Sequence, residues 1–508
     1  MSDLKMVTLR LNPEDNVVVV LGNLEKGSEI PDEGISCINA IPAGHKLSTA
    51  DIEKGAPIRK YGQIIGFASC DIARGEHVHT HNVSMGNVEL DYEFGVDASG
   101  ESGVASEPAT FDGIVRPDGR VATRNYIGVL SSVNCSASVC RYIADAFAGN
   151  ALEGFPNVDG VVPITHGTGC AVAERSEGYA YLMNTVTGYA RHPNFAGVLL
   201  IGLGCEVLQV DSVLNDGGFR EGPFFRSLTI QETGGIKATV DRGVQLVNEM
   251  LPEANRIIRQ PVSAGHLILG LQCGGSDGYS GITANPALGF ATDLLVRNGG
   301  TAVLGETPEI YGAEHLLTRR AISREVGQKL IERIRWWEEY TARHGGAMDN
   351  NPSPGNKAGG LTTILEKSLG AVAKGGSTDL VEVVEYAWPV TSKGLVFMDT
   401  PGYDPVSLTG MVAGGVNIIC FTTGRGSVYG CRPVPSIKLA TNTEVYHRMQ
   451  DDMDVNCGVV IDSDIGLEEV GETIFRLILE TASGKKTKSE TFGMGDNEFV
   501  PWQIGAVM

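Results

Sequence analysis

Four apolar runs each end on a cysteine set in a glycine-rich or polar turn: Cys135 in SSVNCSAS, Cys170 in THGTGCAV, Cys205 in IGLGCEV and Cys273 in LQCGGSDG. If each run is a parallel strand, the residues just past its end line the crevice where open α/β sheets bind ligands. Four thiols would then share one face. One such cysteine reads first as a small buried residue; recurrence at the same position shifts the reading toward metal. Thiolates suit iron or zinc, and three of them can hold an iron–sulfur cluster that leaves one iron open to substrate. The sequence has no CxxC pair, so a single iron with mixed ligands stands as an equal reading.

His166 lies four residues before Cys170 in ITHGTGC, where a neutral imidazole serves as a ligand or as a general base; the bland alternative is a turn histidine hydrogen-bonded to backbone. In GEHVHTHN, His77, His79 and His81 alternate, so a strand would point all three to one face, either as a metal patch or as edge decoration. His45 and Lys46, in PAGHKL, form a turn pair able to bind an anion. The turns CGGSDG, NPSPGNKAGG and TTGRGSVYG offer backbone N–H groups that cradle anions, and two of them carry a cation, Lys357 and Arg425. IGLGCEVLQV lacks the last glycine of the dinucleotide fingerprint and no phosphate-loop pattern occurs, which leaves a nicotinamide oxidoreductase as a weak rival.

Elements able to position these residues follow from the texture of the chain. At roughly 150 residues per domain, 508 residues suggest about three domains. Residues 1–90 hold short β-type runs broken by Gly and Pro, a small all-β module. Between Glu89 and Ala109 stand six acidic residues and no Lys or Arg, the composition of a flexible linker, placed at 91–110. Beyond it, near-continuous apolar runs such as NYIGVLSSV, GVLLIGLG and HLILGLQ alternate with helical stretches, the pattern of a buried parallel sheet in an α/β fold. GLEEVGETIFRLILETASGKK sets Val470, Ile474 and Leu477 at helical spacing and stops at Gly484.

A formal charge of −21 argues against nucleic acid, although local cations or a metal still admit an anionic small molecule. The N-terminus has no secretory pattern and no run of about 18 apolar residues occurs, so the expectation is a cytoplasmic protein without a membrane partner. Ten cysteines in that compartment should be thiols.

The segments NPSPGNKAGG, QCGGSDGYSGITANP, IGLGCE, TTGRGSVYG and PDGRVATRNYIGVL closely resemble those of the altronate and galactarate dehydratase family, and the likeness runs over essentially the whole chain. The resemblance implies a β-clip (SAF-type) domain at 1–90, the linker, a middle α/β dimerisation region at 111–260 and a C-terminal Rossmann-like variant parallel sheet at 261–508. It implies a homodimer that is active with Fe2+ under reducing conditions; an iron–sulfur cluster or another divalent metal such as Mn2+ are the alternatives. HVHTHN, and GAEHLL after PEIY, are more similar to the altronate branch, so D-altronate is the first substrate, with galactarate second. Sulfolactate sulfo-lyases resemble the fold but split it between chains.

Loss of water from a 2,3-dihydroxy acid removes a weakly acidic proton beside a carboxylate and expels hydroxide, leaving an enol that becomes a 2-keto-3-deoxy acid. A divalent metal eases both steps. The expected base or acid is His166, with His45 a rival and Glu306 in VLGETPE a further candidate. Lys46, Lys357, Arg425 and Lys438 are the expected clamps on the acid, supported by Ser276, Asp277 and Asn356. Cys135, Cys170, Cys205, Cys273, His79 and His81 are the expected metal ligands. A small-acid binding protein is the non-enzymatic alternative.

Overall fold

The computed structural model describes residues 7–86, 90, 92–100, 105 and 107–506. Frequent Gly and Pro keep the N-terminal strands short. An antiparallel sheet runs in the order Thr8–Leu9, Val17–Val20, Lys46–Ser48, His77–Val78, and a second joins Pro57–Lys60, Gln63–Ala68 and Val83–Ser84. All four residues of Val17–Val20 are buried, so this strand forms the spine of the module. Lys46 pairs with Val78, and continuing that antiparallel register puts His45 opposite His79, with His77 diagonal to it on the same face.

The acidic stretch is anchored along the large C-terminal sheet. Asp97 and Glu93 ion-pair with Arg319, Tyr92 donates to Glu314, and the Phe94 ring lies under the Arg324 guanidinium. Its charges are thus partly spent on specific cations, where a freely solvated linker was expected; Glu89, Asp91 and Glu101 of that stretch lie outside the described residues.

Thr110–Val115 pairs antiparallel with Gln260–Ser263, so the chain enters and leaves the middle region on neighbouring strands. Between them lies a four-stranded parallel sheet in the order Gly160–Ile164, Tyr126–Ser131, Phe195–Gly202, Phe225–Thr229. One face packs on helices Ala137–Asp145 and Ile236–Asn255 through Ile143, Leu246 and Met250. Its other face shares a core with the C-terminal region, where helix Glu177–Ala190 crosses Asp404–Ala413. A Cβ on Gly188 would sit 2.3 Å from the Ala413 carbonyl oxygen, so that crossing needs glycine.

The C-terminal sheet is parallel throughout and has seven strands, ordered Leu380–Val384, Gly394–Met398, Thr301–Leu304, Ile268–Cys273, Ile418–Thr423, Ser436–Ala440, Val455–Asn456. Four of these strands are buried at every residue, a burial that Gly394–Met398 announces as an apolar run. From Ile268–Cys273 the chain winds to one side and later returns to the other with Ile418–Thr423. A crevice opens beyond the carboxyl ends of two such strands. Helix Leu467–Ala482 buries Val470, Ile474 and Ile478, leaves Leu477 half-buried, and ends before Gly484 at φ +112°.

Candidate active site

At that switch point three glycine-rich turns meet the N-terminal module. Gly424 and Arg425 donate backbone N–H groups to the Gly275 carbonyl, and Gly278 donates to Gly359 at 2.8 Å. Asn356 caps the helix Pro354–Ala358 with its Oδ1 and donates from Nδ2 to the Ser276 carbonyl at 2.9 Å, so one side chain ties two turns. Gly360 has φ +105°, and a Cβ there would fall 2.4 Å from the Gly44 carbonyl oxygen; only glycine lets the PAGHK turn approach so closely. Asp277, raised above the usual carboxylate range by burial, accepts from Thr441, Ser280, Asn442 and the Tyr279 N–H. The Ser276 hydroxyl is buried with no hydrogen-bond partner among the described residues. A cleft of about 210 Å³ opens here, lined by Ala43, Asp277, Ala358, Gly359, Arg425 and Asn442. Larger clefts of about 470, 630 and 290 Å³ lie elsewhere; the last is lined by His192, whose Nε2 is spent on the Val416 carbonyl, and only the 210 Å³ cleft includes Ala358, whose carbonyl lies beside His45.

Next to Ala358, a residue of the cleft wall, stands a cluster of imidazoles. His45 Nε2 lies 3.4 Å from the Ala358 carbonyl oxygen, and His45 Nδ1 lies 3.0 Å from His77 Nε2. The His45 and His79 rings are 4.6 Å apart between centroids, and one nitrogen from each of His45, His77 and His79 falls within 4.8 Å of the others. Burial and the neighbouring Lys46 push His45 down; burial and His45 push His77 down to about 4; burial and Lys46 push His79 down to about 3. All three are therefore neutral near pH 7, with lone pairs to give. His79 Nδ1 is buried with no hydrogen-bond partner among the described residues, an orphan that a metal ion would satisfy. The donor set fits a divalent cation that favours nitrogen. Of the expected His79 and His81, His79 groups with His45 and His77, while exposed His81 stands beside them with its ring 5.4 Å from that of His77.

Lys46 points away from the cleft, against its expected role as a clamp. Its Nζ lies 2.9 Å from Glu366 and donates to the Gly360 carbonyl at 2.6 Å, while Lys60 reaches the other Glu366 oxygen at 3.0 Å. These side chains are 0 to 1 % exposed, so the module docks through a sealed charge network. Burial alone would raise the Glu366 carboxyl, but the two ammonium groups hold it far below the carboxylate range; Lys46 is pushed down to about 8 by burial. The sequence reading missed Glu366 and Lys60. The signal was two charged residues, Glu366 and Lys367, inside the apolar helix Ile364–Val372.

A second buried group lies at the ends of the same sheet. Cys273 Sγ is 2.7 Å from Lys374 Nζ and within 3.9 Å of Glu306 and Glu309, and Lys367 pairs with Glu309 at 2.7 Å. Glu306 has φ +63° and one oxygen without a partner. Burial and Glu309 raise the Glu306 carboxyl well above its usual range, and Asp404 is raised to about 6 for the same two reasons. Burial pushes the Cys273 thiol up to about 12. Two ammonium groups already supply the positive charge that a bound cation would bring.

Other expected residues are not brought to the cleft. Cys135, Cys170 and Cys205 follow strands of the middle sheet whereas Cys273 follows the large one, so the four thiols do not share one crevice. Lys438 lies beside Asp452, Asp454 and Lys488. His166 is buried in the middle region: its Nε2 meets the Ser131 carbonyl oxygen at 3.1 Å, and its Nδ1 accepts from the Thr168 N–H at 3.3 Å. Both nitrogens are thus spent on backbone, the work of a turn histidine.

Burial holds His166, and likewise His192, down to about 4. An unfolded histidine titrates near ~6.5, so between these values only the unfolded chain gains the proton. The stabilisation is complete above ~6.5 and is lost as pH falls toward 4, about 2 kcal/mol per histidine by pH 5. Urea unfolding should show the midpoint falling from pH 7 to pH 5, with a shallower fall in a H166Q/H192Q protein.

Family models match three consecutive stretches: the altronate/galactarate dehydratase SAF domain at residues 6–86, the D-galactarate dehydratase/altronate hydrolase second domain at 113–255, and the D-galactarate/altronate dehydratase C-terminal domain at 264–507. The chain is similar to the galactarate dehydratase (L-threo-forming) of Escherichia coli K12, with 38% identity over 96% of this chain and 95% of that one. It is 34% identical to the altronate dehydratase of Bacillus subtilis 168, over 95% of this chain and 96% of that one. With the (2R)-sulfolactate sulfo-lyase subunit beta of Chromohalobacter salexigens it shares 32% identity over 77% of this chain and 96% of that one.

Proposed function

Because the chain belongs to the D-galactarate/altronate dehydratase family, we propose that it removes water from a small anionic sugar acid, D-altronate first, to give a 2-keto-3-deoxy acid. The observation that carries the site is the grouping of His45, His77 and His79 beside Ala358, a wall residue of the cleft built by the glycine-rich turns. We read these imidazoles as the ligands of a ferrous ion. When bound, the ion would spread charge from the substrate's carboxylate as the adjacent proton leaves, and would assist loss of hydroxide.

Around it, Lys357 and Arg425 hold the acid at the rim, where their charge is not cancelled by burial. Asp277 and Asn356 fix the turns, and the unpartnered Ser276 hydroxyl is available to a substrate hydroxyl. His81, exposed beside the three ligands, is placed to take the proton. Lys46, Lys60 and Glu366 lock the PAGHK turn so that His45 keeps its position. His166 and Lys438 have no part in this reading.

The division at 1–90, 91–110, 111–260 and 261–508 is our domain assignment, with a Rossmann-like variant in the last part and a middle region that pairs two copies. No described helix is long and apolar enough to cross a membrane, and all ten cysteines are unpaired, which supports a reducing, cytoplasmic setting.

The test is to strip metal from the purified chain, restore Fe2+ or Mn2+ under reductant, and assay altronate, galactarate and sulfolactate. Keto-acid formation from altronate with iron is the expected result. Tight binding of all three acids without product would leave a binding protein and end the dehydratase reading. A second substrate, galactarate, has its own support in the 38% identity to a galactarate dehydratase, and the same assay separates the two. The rival ion site, at Cys273, Glu306 and Glu309, has the unpartnered Glu306 oxygen in its favour and the ammonium groups of Lys367 and Lys374 against it.

A further inference from the structure

Cysteine is among the residues most often buried, and six of the ten thiols here are. The exposed ones are Cys70, Cys135, Cys170 and Cys205, and the last three follow three adjacent strands of the middle sheet. Cys135 comes four residues after Tyr126–Ser131, the central strand of the three; Cys170 and Cys205 follow its two neighbours, Gly160–Ile164 and Phe195–Gly202. The three turns are bonded to one another beside the cysteines. Asn134 donates its N–H to the Thr168 carbonyl at 2.9 Å, and Val207 and Leu208 donate theirs to the Cys170 and Gly169 carbonyls at 3.3 and 3.1 Å.

Two devices hold that arrangement. Glu206, 3 % exposed, accepts from Ser132 Oγ at 2.8 Å and from the Leu203 and Gly204 N–H groups, clasping the Cys205 turn to the Cys135 strand. Gly169 has φ +101° and a Cβ there would lie 2.3 Å from the Ser132 carbonyl oxygen, so the Cys170 turn presses on the Cys135 strand as only glycine can. A fold that positions three reactive side chains this firmly, and leaves them at the surface, holds them ready for a ligand.

We propose that Cys135, Cys170 and Cys205 form the site of a four-iron iron–sulfur cluster at the carboxyl end of the middle sheet, one iron being left without a protein thiolate. Among the described residues no set of three ligand atoms that includes these sulfurs lies within 4.8 Å of one another, a spread that suits a cluster, in which each thiolate has its own iron, better than a single ion that every sulfur must approach within about 2.3 Å. Helix Ala137–Asp145 begins two residues past Cys135, and the partial positive charge at its N-terminal end favours an anionic cluster there. Cys273 belongs to the other sheet and already pairs with Lys374, which accounts for its exclusion. Binding replaces three thiol protons by three iron–sulfur bonds; two ferrous and two ferric ions with four sulfides are the co-reactants, so the mixed-valence core assembles with no net change of oxidation state. This site is separate from the imidazole cleft and does not depend on the substrate assigned there.

The full chain, purified anaerobically and incubated with ferrous and ferric iron and sulfide, is expected to retain roughly four iron and four acid-labile sulfide per chain after desalting, with broad visible absorption. Cys135→Ser, Cys170→Ser or Cys205→Ser should each lower labile sulfide at least fivefold, while Cys70→Ser and His77→Ala leave it unchanged. Alkylation should reach the three thiols before loading and not after. Iron retained without sulfide, zinc in its place, or a C135S/C170S/C205S protein that keeps its sulfide would each overturn the proposal. Sulfide content is independent of turnover, so this result and the dehydratase assay can fail separately.

Discussion

Replacing His77 with alanine should bring divalent metal in the desalted protein close to background, once labile-sulfide iron is subtracted, and lower turnover by roughly a hundredfold or more. The expectation rests on the geometry of the three imidazoles. His77 Nε2 faces His45 Nδ1 at 3.0 Å, and His79 Nδ1 is buried without a partner. Removing the middle ring leaves two donors, too few for a site that must also keep positions open for substrate. His45→Ala should act in the same way. His81→Ala is the discriminating control: it should keep the metal and lose about 10²- to 10⁴-fold in kcat if His81 carries the proton. Metal content and kcat together read both outcomes. A His77→Ala protein that binds iron with unchanged affinity would move the metal to Cys273, Glu306 and Glu309, and Glu306→Gln would then be the variant that empties the site.

The sequence carried some of this site and could not carry the rest. Strands buried on both faces announce themselves as unbroken apolar runs, and the helix that buries Val470 and Ile474 is legible from its spacing. Glycine-rich turns past strand ends pointed to the crevice where three of them meet, because backbone that must approach another chain segment closely has few other solutions. Alternation marked His77 and His79 as neighbours, but nothing in one strand says which residue of another lies opposite, so His45 was assigned to catalysis and His81 to metal. The same limit misled the thiols. Equal positions after four strands imply one face only if the four strands share a sheet, and spacing does not report that partition. Buried charge was the largest omission: Glu366, Lys60, Lys374 and Asp404 read as ordinary polar residues until their partners, tens to hundreds of positions away, are known.

Glu366→Gln should lower the stability of the folded chain by about 3–5 kcal/mol. The ammonium groups of Lys46 and Lys60 are 0 to 1 % exposed, and both rely on this carboxylate. An amide would leave two positive charges in low dielectric with no anion, a large fraction of the ~5–15 kcal/mol by which such proteins are stable. In the native protein the depressed Glu366 carboxyl contributes fully above its ordinary value of ~4.3 and loses that contribution only as pH falls below it toward the folded value. The variant should therefore unfold at lower urea than the wild type at pH 7, with the gap narrowing in acid. An unchanged midpoint at pH 7 would show that the network does not stabilise the fold. Apolar replacement of the whole group, as Lys46→Met, Lys60→Met and Glu366→Leu together, should restore most of the loss, because well-packed side chains replace a buried ion network at little cost. What that protein does with substrate then separates stability from function. Lys46 also donates to the Gly360 carbonyl at 2.6 Å, and this bond holds the turn that carries His45 against the turn that carries Lys357. A folded triple variant should bind metal more weakly and turn over at least roughly tenfold more slowly, since a ligand displaced by about an ångström loses much of its effect. If it matches the wild type in both metal content and kcat, the charge network serves the fold alone.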